Sequence, residues 1–230
     1  MLKNLFKTIF PDLCIGCNGL LIKNESVLCI HCRHDLPYTQ HHKNPNNEAL
    51  LKFYGIVPIE NCFAMLYFHN EGIAKRLMHQ LKYKGKQEIG TLLGNMYYPE
   101  LEDKFKHEDS KTTFEIIPVP LHKKRQKERG YNQVTTFCKA LSKGLDITLN
   151  ETLLIRNHYT KTQTQKNKIA RQKINDALFD IVETTSESNK HYILVDDIIT
   201  TGATLEACAK ALLRIPNAKV SIVTMAFTET

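Results

Sequence analysis

Two adjacent carboxylates, Asp196 and Asp197, stand between an apolar run, Tyr192-Ile193-Leu194-Val195, and a hydroxyl-rich turn, Thr200-Thr201-Gly202-Ala203-Thr204. Leu205, Cys208, Ala209, Leu212 and Leu213 follow at the spacing of one apolar helix face. The stretch therefore predicts a strand, an acidic edge, a turn and a helix N-terminus. A helix start leaves backbone N–H groups without partners and carries partial positive charge, so it suits a phosphate. Gly202 permits a left-handed turn and a close ligand approach, while Thr200, Thr201 and Thr204 add hydroxyls around the same point. Two charged carboxylates are costly to bury without partners, so the pair suits a ligand's hydroxyls or a hydrated cation. Neighbouring strand residues point to opposite faces. The chain is therefore expected to leave the strand at the pair if both acids serve one ligand. An ordinary strand–turn–helix with an acidic cap fits the same residues.

A second constellation lies near the N-terminus. Cys14-Ile15-Gly16-Cys17 and Cys29-Ile30-His31-Cys32 are two Cys-x-x-Cys knuckles with eleven residues between them, the spacing of tetrahedral zinc. Four thiolates leave no position open for water, so the expected role is a structural zinc bound by Cys14, Cys17, Cys29 and Cys32 that staples a segment too small for its own core. The alternative is a set of buried, metal-free thiols. His31 and His34 are expected at the surface, and Cys62, Cys138 and Cys208 lie in apolar patterns that predict inert core thiols.

The third feature is charge. From Lys123 to Arg129 there are five Lys/Arg against Glu128, and from Arg156 to Lys173 six Lys/Arg and no acid, in a chain whose net charge is +7. The remainder is thus slightly acidic, and the positive charge is local, as a phosphate-rich partner requires.

The elements that must position these groups follow from periodicity. Phe63–Phe68 predicts a strand. Ile73, Ala74, Leu77, Met78 and Leu81 predict a helix that stops at Lys82-Tyr83-Lys84-Gly85, read as a solvated terminus with a phosphate contact as the alternative. A second helix is expected from Gly90 to Tyr98, ahead of Pro99. Ile116–Pro120 predicts a strand cut off by prolines, followed by a basic loop from Leu121 to Gln133. The loop enters a helix with Val134, Phe137, Cys138, Leu141 and Leu145 on one face. Val220–Phe227 predicts a last buried strand. Alternating strands and helices imply an α/β fold with a mostly parallel sheet and a ligand at the carboxyl ends of the strands. The expected division is a zinc-ribbon-like segment at 1–36, a linker at 37–50 that is rich in turn residues, and the main domain at 51–230. His41 and His42 are expected to be solvated on that linker.

The 230 residues, 42% hydrophobic and 24% charged, suit one α/β core with a small appendage. No apolar run is long enough to span a bilayer. The basic start Met1–Lys7 lacks a long apolar region and a small-residue cleavage site, so the expected compartment is the cytoplasm.

The stretch from Tyr192 to Thr204 resembles the phosphoribosyl pyrophosphate (PRPP) motif of type I phosphoribosyltransferases: four hydrophobics, two acids, two hydrophobics, then Thr-Thr-Gly-Ala-Thr. The resemblance implies that Asp196 and Asp197 hold the ribose hydroxyls. It likewise implies that Thr200, Thr201, Gly202, Ala203 and Thr204 cradle the 5′-phosphate. The loop Leu121-His122-Lys123 would hold the pyrophosphate, and Mg²⁺ would accompany PRPP. The Pro-Val-Pro start at Pro118 is similar to the amidotransferase-like branch, but the run Arg129-Gly130-Tyr131-Asn132-Gln133 resembles the ComF family more closely. Thr162, Gln163 and Arg171, with Thr160 before them and Phe179 after them, resemble that family's pattern for a loop closing over the reaction centre, with Arg125 in the basic loop beside it. Ile174 departs from it, standing where the family has Asn, with Asn175 one step on. ComF proteins pair an N-terminal cysteine zinc segment with a phosphoribosyltransferase domain and are associated with DNA uptake in natural transformation.

Two functions of different class follow. One is a phosphoribosyltransferase with an unidentified acceptor, in which no side chain stands out as a general base. The other is a non-catalytic PRPP- or nucleotide-binding module that handles single-stranded DNA together with the uptake machinery. Its basic loops would track phosphates, and Tyr131 and Tyr159 would stack on bases.

Overall fold

The computed structural model describes residues 11–105, 112–157, 178–182 and 189–229. In chain order the elements are α1 (Ile30–His34), α2 (Glu48–Leu51), β1 (Cys62–Tyr67), α3 (Ile73–Tyr83), α4 (Glu88–Leu101), β2 (Thr113–Pro118), α5 (Lys123–Arg129), α6 (Thr135–Leu145), β3 (Thr148–Leu149), β4 (Leu154–Arg156), β5 (Phe179–Ile181), β6 (Lys190–Ile199), α7 (Ala203–Leu212) and β7 (Lys219–Phe227). Five strands form one sheet in the order β1-β7-β6-β2-β3, and every pairing in it is parallel. Strands β4 and β5 make a separate antiparallel pair.

A parallel sheet covered on both faces needs near-continuous apolar strands, and β6 and β7 supply them. Ile193 and Val195 face a core layer formed with α3, α4 and α6. Tyr192 and Leu194 face the opposite layer, formed with α7, Phe53 and the β4–β5 pair. Helix α3 buries Ala74, Leu77, Met78 and Leu81, and α6 buries Phe137, Cys138, Ala140 and Leu141. Cys62, Cys138 and Cys208 are all buried.

Three local expectations are corrected. Helix α4 runs through Pro99 to Leu101 instead of stopping before it; proline removes one N–H and crowds the carbonyl four residues back, a cost offset here by the burial of Tyr97 and Leu101 in the core. The basic stretch after β2 is not a loop but the short helix α5. Gly130 ends it in a left-handed conformation (φ 76°), its N–H donating to the Gln126 carbonyl at 2.8 Å. His41 and His42 are buried rather than solvated.

The histidines are drawn in because residues 37–39 pair along β1. The Tyr67 N–H donates to the Pro37 carbonyl at 2.7 Å, and the Thr39 N–H to the Met65 carbonyl at 3.1 Å. His41 then packs edge-on to Phe227 at 5.3 Å and bonds Glu48 at 3.3 Å, while His42 Nε2 lies 2.9 Å from the Glu100 carboxylate. The cysteine segment joins the same layer, burying Leu28 and Leu36 in it. The Arg76 guanidinium on α3 donates to the Gly16 carbonyl.

His191 on β6 is buried against Phe114, with Nε2 2.8 Å from the Ser221 hydroxyl. Burial, with the nearby Lys219 charge adding to it, pulls its imidazole down to about 4 from the ordinary 6.5. Between those values the unfolded chain takes up a proton that the folded chain refuses. Stability is therefore full above pH 6.5 and declines as pH falls toward 4. Unfolding stability in urea is expected to be lower at pH 5 than at pH 7 by about 1–2 kcal/mol, and His191→Gln to flatten that difference. An equally steep decline in the variant would remove His191 as its cause.

Candidate functional site

Strand β6 does not end at the acid pair. It stays in register with β7 through Asp196↔Thr224, Ile198↔Ala226 and Ile199↔Phe227, so the expected exit from the strand at Asp196–Asp197 is corrected. The ladder to β7 holds the backbone extended, and the two carboxylates leave it in different directions. Each meets its own surroundings.

Asp197 is 6% exposed. Its Oδ2 accepts from the Gln133 amide at 2.8 Å and pairs with Lys82 Nζ at 2.9 Å. Lys82 is a correction as well: its helix end, expected to be solvated, carries a side chain only 20% exposed that turns inward to the carboxylate. The signal was present in the sequence, since Lys82 lies four residues after Met78 and eight after Ala74, on a buried ridge of α3. Asp196 is half-buried, and its Oδ1 accepts the Asp197 N–H at 2.8 Å. Burial, and then the Asp197 charge, pushes the Asp196 carboxyl well above the usual carboxylate range, against the opposing pull of the Asp197 N–H, Lys82 and Arg156. Arg156 on β4, set over the Phe179 ring at 5.1 Å, is a second residue whose nearness to the acids the sequence did not reveal.

Asp196 lines a small cavity of about 50 Å³ together with Ile198, Ile199, Thr200, Thr201, Gly202, Ala203, Thr204 and Leu205. Gly202 is the N-cap of α7, in the left-handed region at φ 81°. A Cβ there would be strained and would stand 3.2 Å from the Phe53 ring. Thr200, Thr201, Ala203 and Thr204 are exposed around it.

A larger cavity of about 510 Å³ lies beside Lys82 and is lined by Lys82, Tyr83, Gly85, Arg125, Glu128, Arg129 and Tyr131. The Arg129-Gly130-Tyr131-Asn132-Gln133 run ties this wall to the acids. Arg129 donates to the Gln133 amide oxygen at 2.8 Å and lies 5.2 Å over the Tyr83 ring. Tyr131 donates its hydroxyl proton to the Leu81 carbonyl, and the Asn132 amide donates to the Val119 carbonyl at 3.0 Å. Gln133 thus passes the position of Arg129 on to Asp197. Leu121 and His122 are half-buried between β2 and α5, His122 accepting the Lys124 N–H at 3.1 Å, and Lys123 opens α5. Thr162, Gln163, Arg171 and Tyr159 lie outside the described residues.

The sulfur atoms of Cys14, Cys17, Cys29 and Cys32 all lie within 4.8 Å of one another. Backbone N–H groups of Cys29, Gly19 and Cys32 point at Cys14, Cys17 and Cys29 sulfur at 3.3, 3.4 and 3.5 Å. A Cβ on Gly16 would come within 2.7 Å of Cys32 Sγ, so the knuckle closes this tightly only on glycine. Four converging sulfurs with N–H donors are compatible with a structural zinc site. His31 and His34 are exposed, outside the cluster.

The phosphoribosyl transferase domain family profile matches residues 135–229, which run from α6 through β7. Competence protein F of Haemophilus influenzae is 28% identical over 221 residues, covering 91% of this chain and 94% of that protein. Competence protein ComFC of Bacillus subtilis is 30% identical over 148 residues, covering 64% of this chain and 56% of that protein. These matches support a ComF family assignment. DNA utilization protein YhgH of Escherichia coli O157:H7 is 30% identical over 147 residues, covering 64% of this chain and 63% of that protein. The chain thus spans less than two thirds of the length of two of these three relatives. With the domain match and the parallel sheet flanked by helices, the chain has the type I phosphoribosyltransferase fold. No described helix is long and apolar enough to cross a membrane.

The strained protonation of Asp196 has a measurable consequence. Its proton is retained on folding above the ordinary 3.8, so the charged form costs stability as pH rises through that value and beyond. Asp196→Asn is expected to raise Tm at pH 7.5, by about 2–4 °C for each kcal/mol relieved, and to leave it unchanged near pH 4. A variant no more stable than the parent at pH 7.5 would show that the carboxylate is adequately paired.

Proposed function

We propose that the carboxyl end of β6 binds PRPP with Mg²⁺, and that this ComF chain is a phosphoribosyltransferase used in handling incoming DNA. The observation that carries the reading is the single cavity shared by Asp196 and the Thr200–Thr204 turn at the start of α7. The α7 N-terminus and three threonine hydroxyls suit the 5′-phosphate, and the acids suit the ribose hydroxyls. Asp197 exchanges its Lys82 and Gln133 contacts for those hydroxyls.

In the transfer, the bond from ribose C1 to the diphosphate oxygen breaks and pyrophosphate leaves with the electron pair. The acceptor's lone pair forms the new bond to C1, and the proton that the acceptor sheds passes to pyrophosphate or water. Magnesium bound with PRPP beside Asp196 and Asp197 would supply neutralisation of the leaving pyrophosphate's charge. Leu121, His122 and Lys123 stand at the loop that the family resemblance gives to the pyrophosphate, with the α5 cations beside it. The protein's own part is positioning: anchored ends and a fixed ribose turn encounter into alignment. The names of the competence and DNA utilization relatives support the setting in DNA uptake. The basic stretch Arg156–Lys173 supports a direct contact with single-stranded DNA as a second role.

Asp196→Asn together with Asp197→Asn is expected to abolish Mg²⁺-dependent PRPP binding in titration calorimetry while the far-UV spectrum stays unchanged. Unaltered affinity in the folded double variant would refute the ribose contact. The cysteine cluster is proposed to hold one structural Zn²⁺. Freshly purified, reduced protein should contain about one zinc per chain, and metal removal or Cys14→Ser should lower Tm by roughly 5 °C or more, on the scale at which a few kcal/mol moves a chain of this size. Metal content far below one ion per chain would end that reading.

A further inference from the structure

At the opposite end of the sheet, where the strands begin, a cavity of about 410 Å³ is lined by Thr112, Asn189, Lys190, Asn217, Ala218 and Lys219. Its volume lies within the range of small-molecule sites. The lining gathers three strand starts. Thr112 precedes β2, Asn189 precedes β6, and Asn217 and Ala218 precede β7, while Lys190 and Lys219 open β6 and β7. The register joins them, pairing Thr113 with Lys190 and His191 with Lys219. Along β6, Asp196 stands about 20 Å from Lys190 at the rise of a strand, so this cavity is separate from the one beside the Thr200–Thr204 turn.

The lining carries two cations and no acid. Side chains alternate faces along a strand, so Lys190 leaves on the side of Tyr192 and Leu194, and Lys219 on the side of Val223. Those are opposite faces of the sheet, and the two ammonium groups therefore flank its edge. Lys190 is held in place: its Nζ lies 3.2 Å from Glu115 Oε2, and Glu115, itself buried, also accepts from the Asn150 amide at 3.1 Å. One acceptor does not exhaust the three donors of an ammonium group. Lys219 is exposed, and its charge reaches His191, where it adds to the effect of burial. Asn217 sits in the left-handed region at φ 57°. Sheet edges make anion-binding concavities, and lysine meets a phosphate as a point charge. The side-chain amides of Asn189 and Asn217 both donate and accept, as sugar hydroxyls and base edges require.

We propose that the amino edge of the sheet is a second binding site, for a free phosphate ester of mononucleotide size. Lys190 and Lys219 take the phosphate, and the amides of Asn189 and Asn217 take the sugar or base. The site does not depend on PRPP binding at the carboxyl edge, because its ligand chemistry follows from its own lining.

The test is an NMR titration of the full chain at pH 7 with AMP, GMP, CMP and UMP, following the backbone amides of Lys190, Asn217 and Lys219. Each nucleotide is compared with its nucleoside and with inorganic phosphate. At least one nucleotide should bind about tenfold or more tighter than either. Lys219→Gln should weaken it about tenfold, and Asn217→Gly, which keeps the left-handed turn, should weaken it several-fold. Both positions are exposed, and thermal melts check that each variant is folded. Bound phosphate offsets the Lys219 charge, so the His191 imidazole should titrate at a higher pH with nucleotide than without it. Asp196→Asn together with Asp197→Asn should leave the amide shifts unchanged; their loss in that double variant would reassign the nucleotide to the carboxyl edge and overturn the inference. No response at the three amides, equal affinity for the nucleoside, or indifference to Lys219→Gln would also overturn it. Equal affinity for inorganic phosphate would do the same, leaving an adventitious ion only. Short single-stranded DNA shifting these amides at lower concentration than any mononucleotide would refute a site for a free ligand.

Discussion

A buried carboxylate at the end of β6 constrains most of what surrounds it. Asp197 has almost no access to water, and such a charge persists only when it is paired and hydrogen-bonded. Lys82 and Gln133 meet that requirement from two different elements, the C-terminus of α3 and the turn before α6. Removing one partner of a buried pair costs about 3–5 kcal/mol, so neither helix end can drift without penalty. The end of α3 and the turn before α6 are thus both held to the central strand by the Asp197 carboxylate.

That constraint reaches further along the chain than the site itself. Arg129 braces Gln133 and covers Tyr83, and Tyr131 bonds the backbone at Leu81. The end of α3 and the turn after α5 are therefore one unit. At the other end of α3, Arg76 donates to the Gly16 carbonyl inside the first cysteine knuckle. The cysteine segment buries Leu28 and Leu36 beside β1 and α3. A metal that closes the knuckles would stiffen the helix that delivers Lys82, which gives a structural ion a bearing on the site without touching any ligand.

The two acids do different work because the strand continues between them. Asp197 is satisfied within the protein, whereas Asp196 is held beside the Thr200–Thr204 turn with its charged form disfavoured by burial and by its neighbour. Strain of this kind is characteristic of sites tuned for a ligand. The cost of that charge sits at the rim of the cavity that Asp196 shares with Thr200–Thr204. The parallel sheet puts this strain at the carboxyl edge, flanked by α7 on one side and by α3 and α6 on the other.

Much of this was legible in the residues alone. The apolar runs of β1, β2, β6 and β7 and the 3.6-residue spacing of α3, α6 and α7 are local patterns, and local patterns survive folding when one face is buried. The Thr200–Thr204 turn and the two cysteine knuckles were equally visible, because short spacings oblige their members to meet. What the sequence did not decide were contacts between distant segments. Lys82 ends a helix that looks solvated until Asp197, 115 positions later, comes to lie 2.9 Å away. His41 and His42 look like linker residues until pairing of residues 37–39 along β1 draws them in against Phe227 and toward Glu100. Arg156 gives no sign of its nearness to Asp196. Periodicity and motif spacing report what a residue does with its near neighbours. Charge pairing and desolvation depend on which remote surfaces are pressed together, and only the tertiary structure settles that.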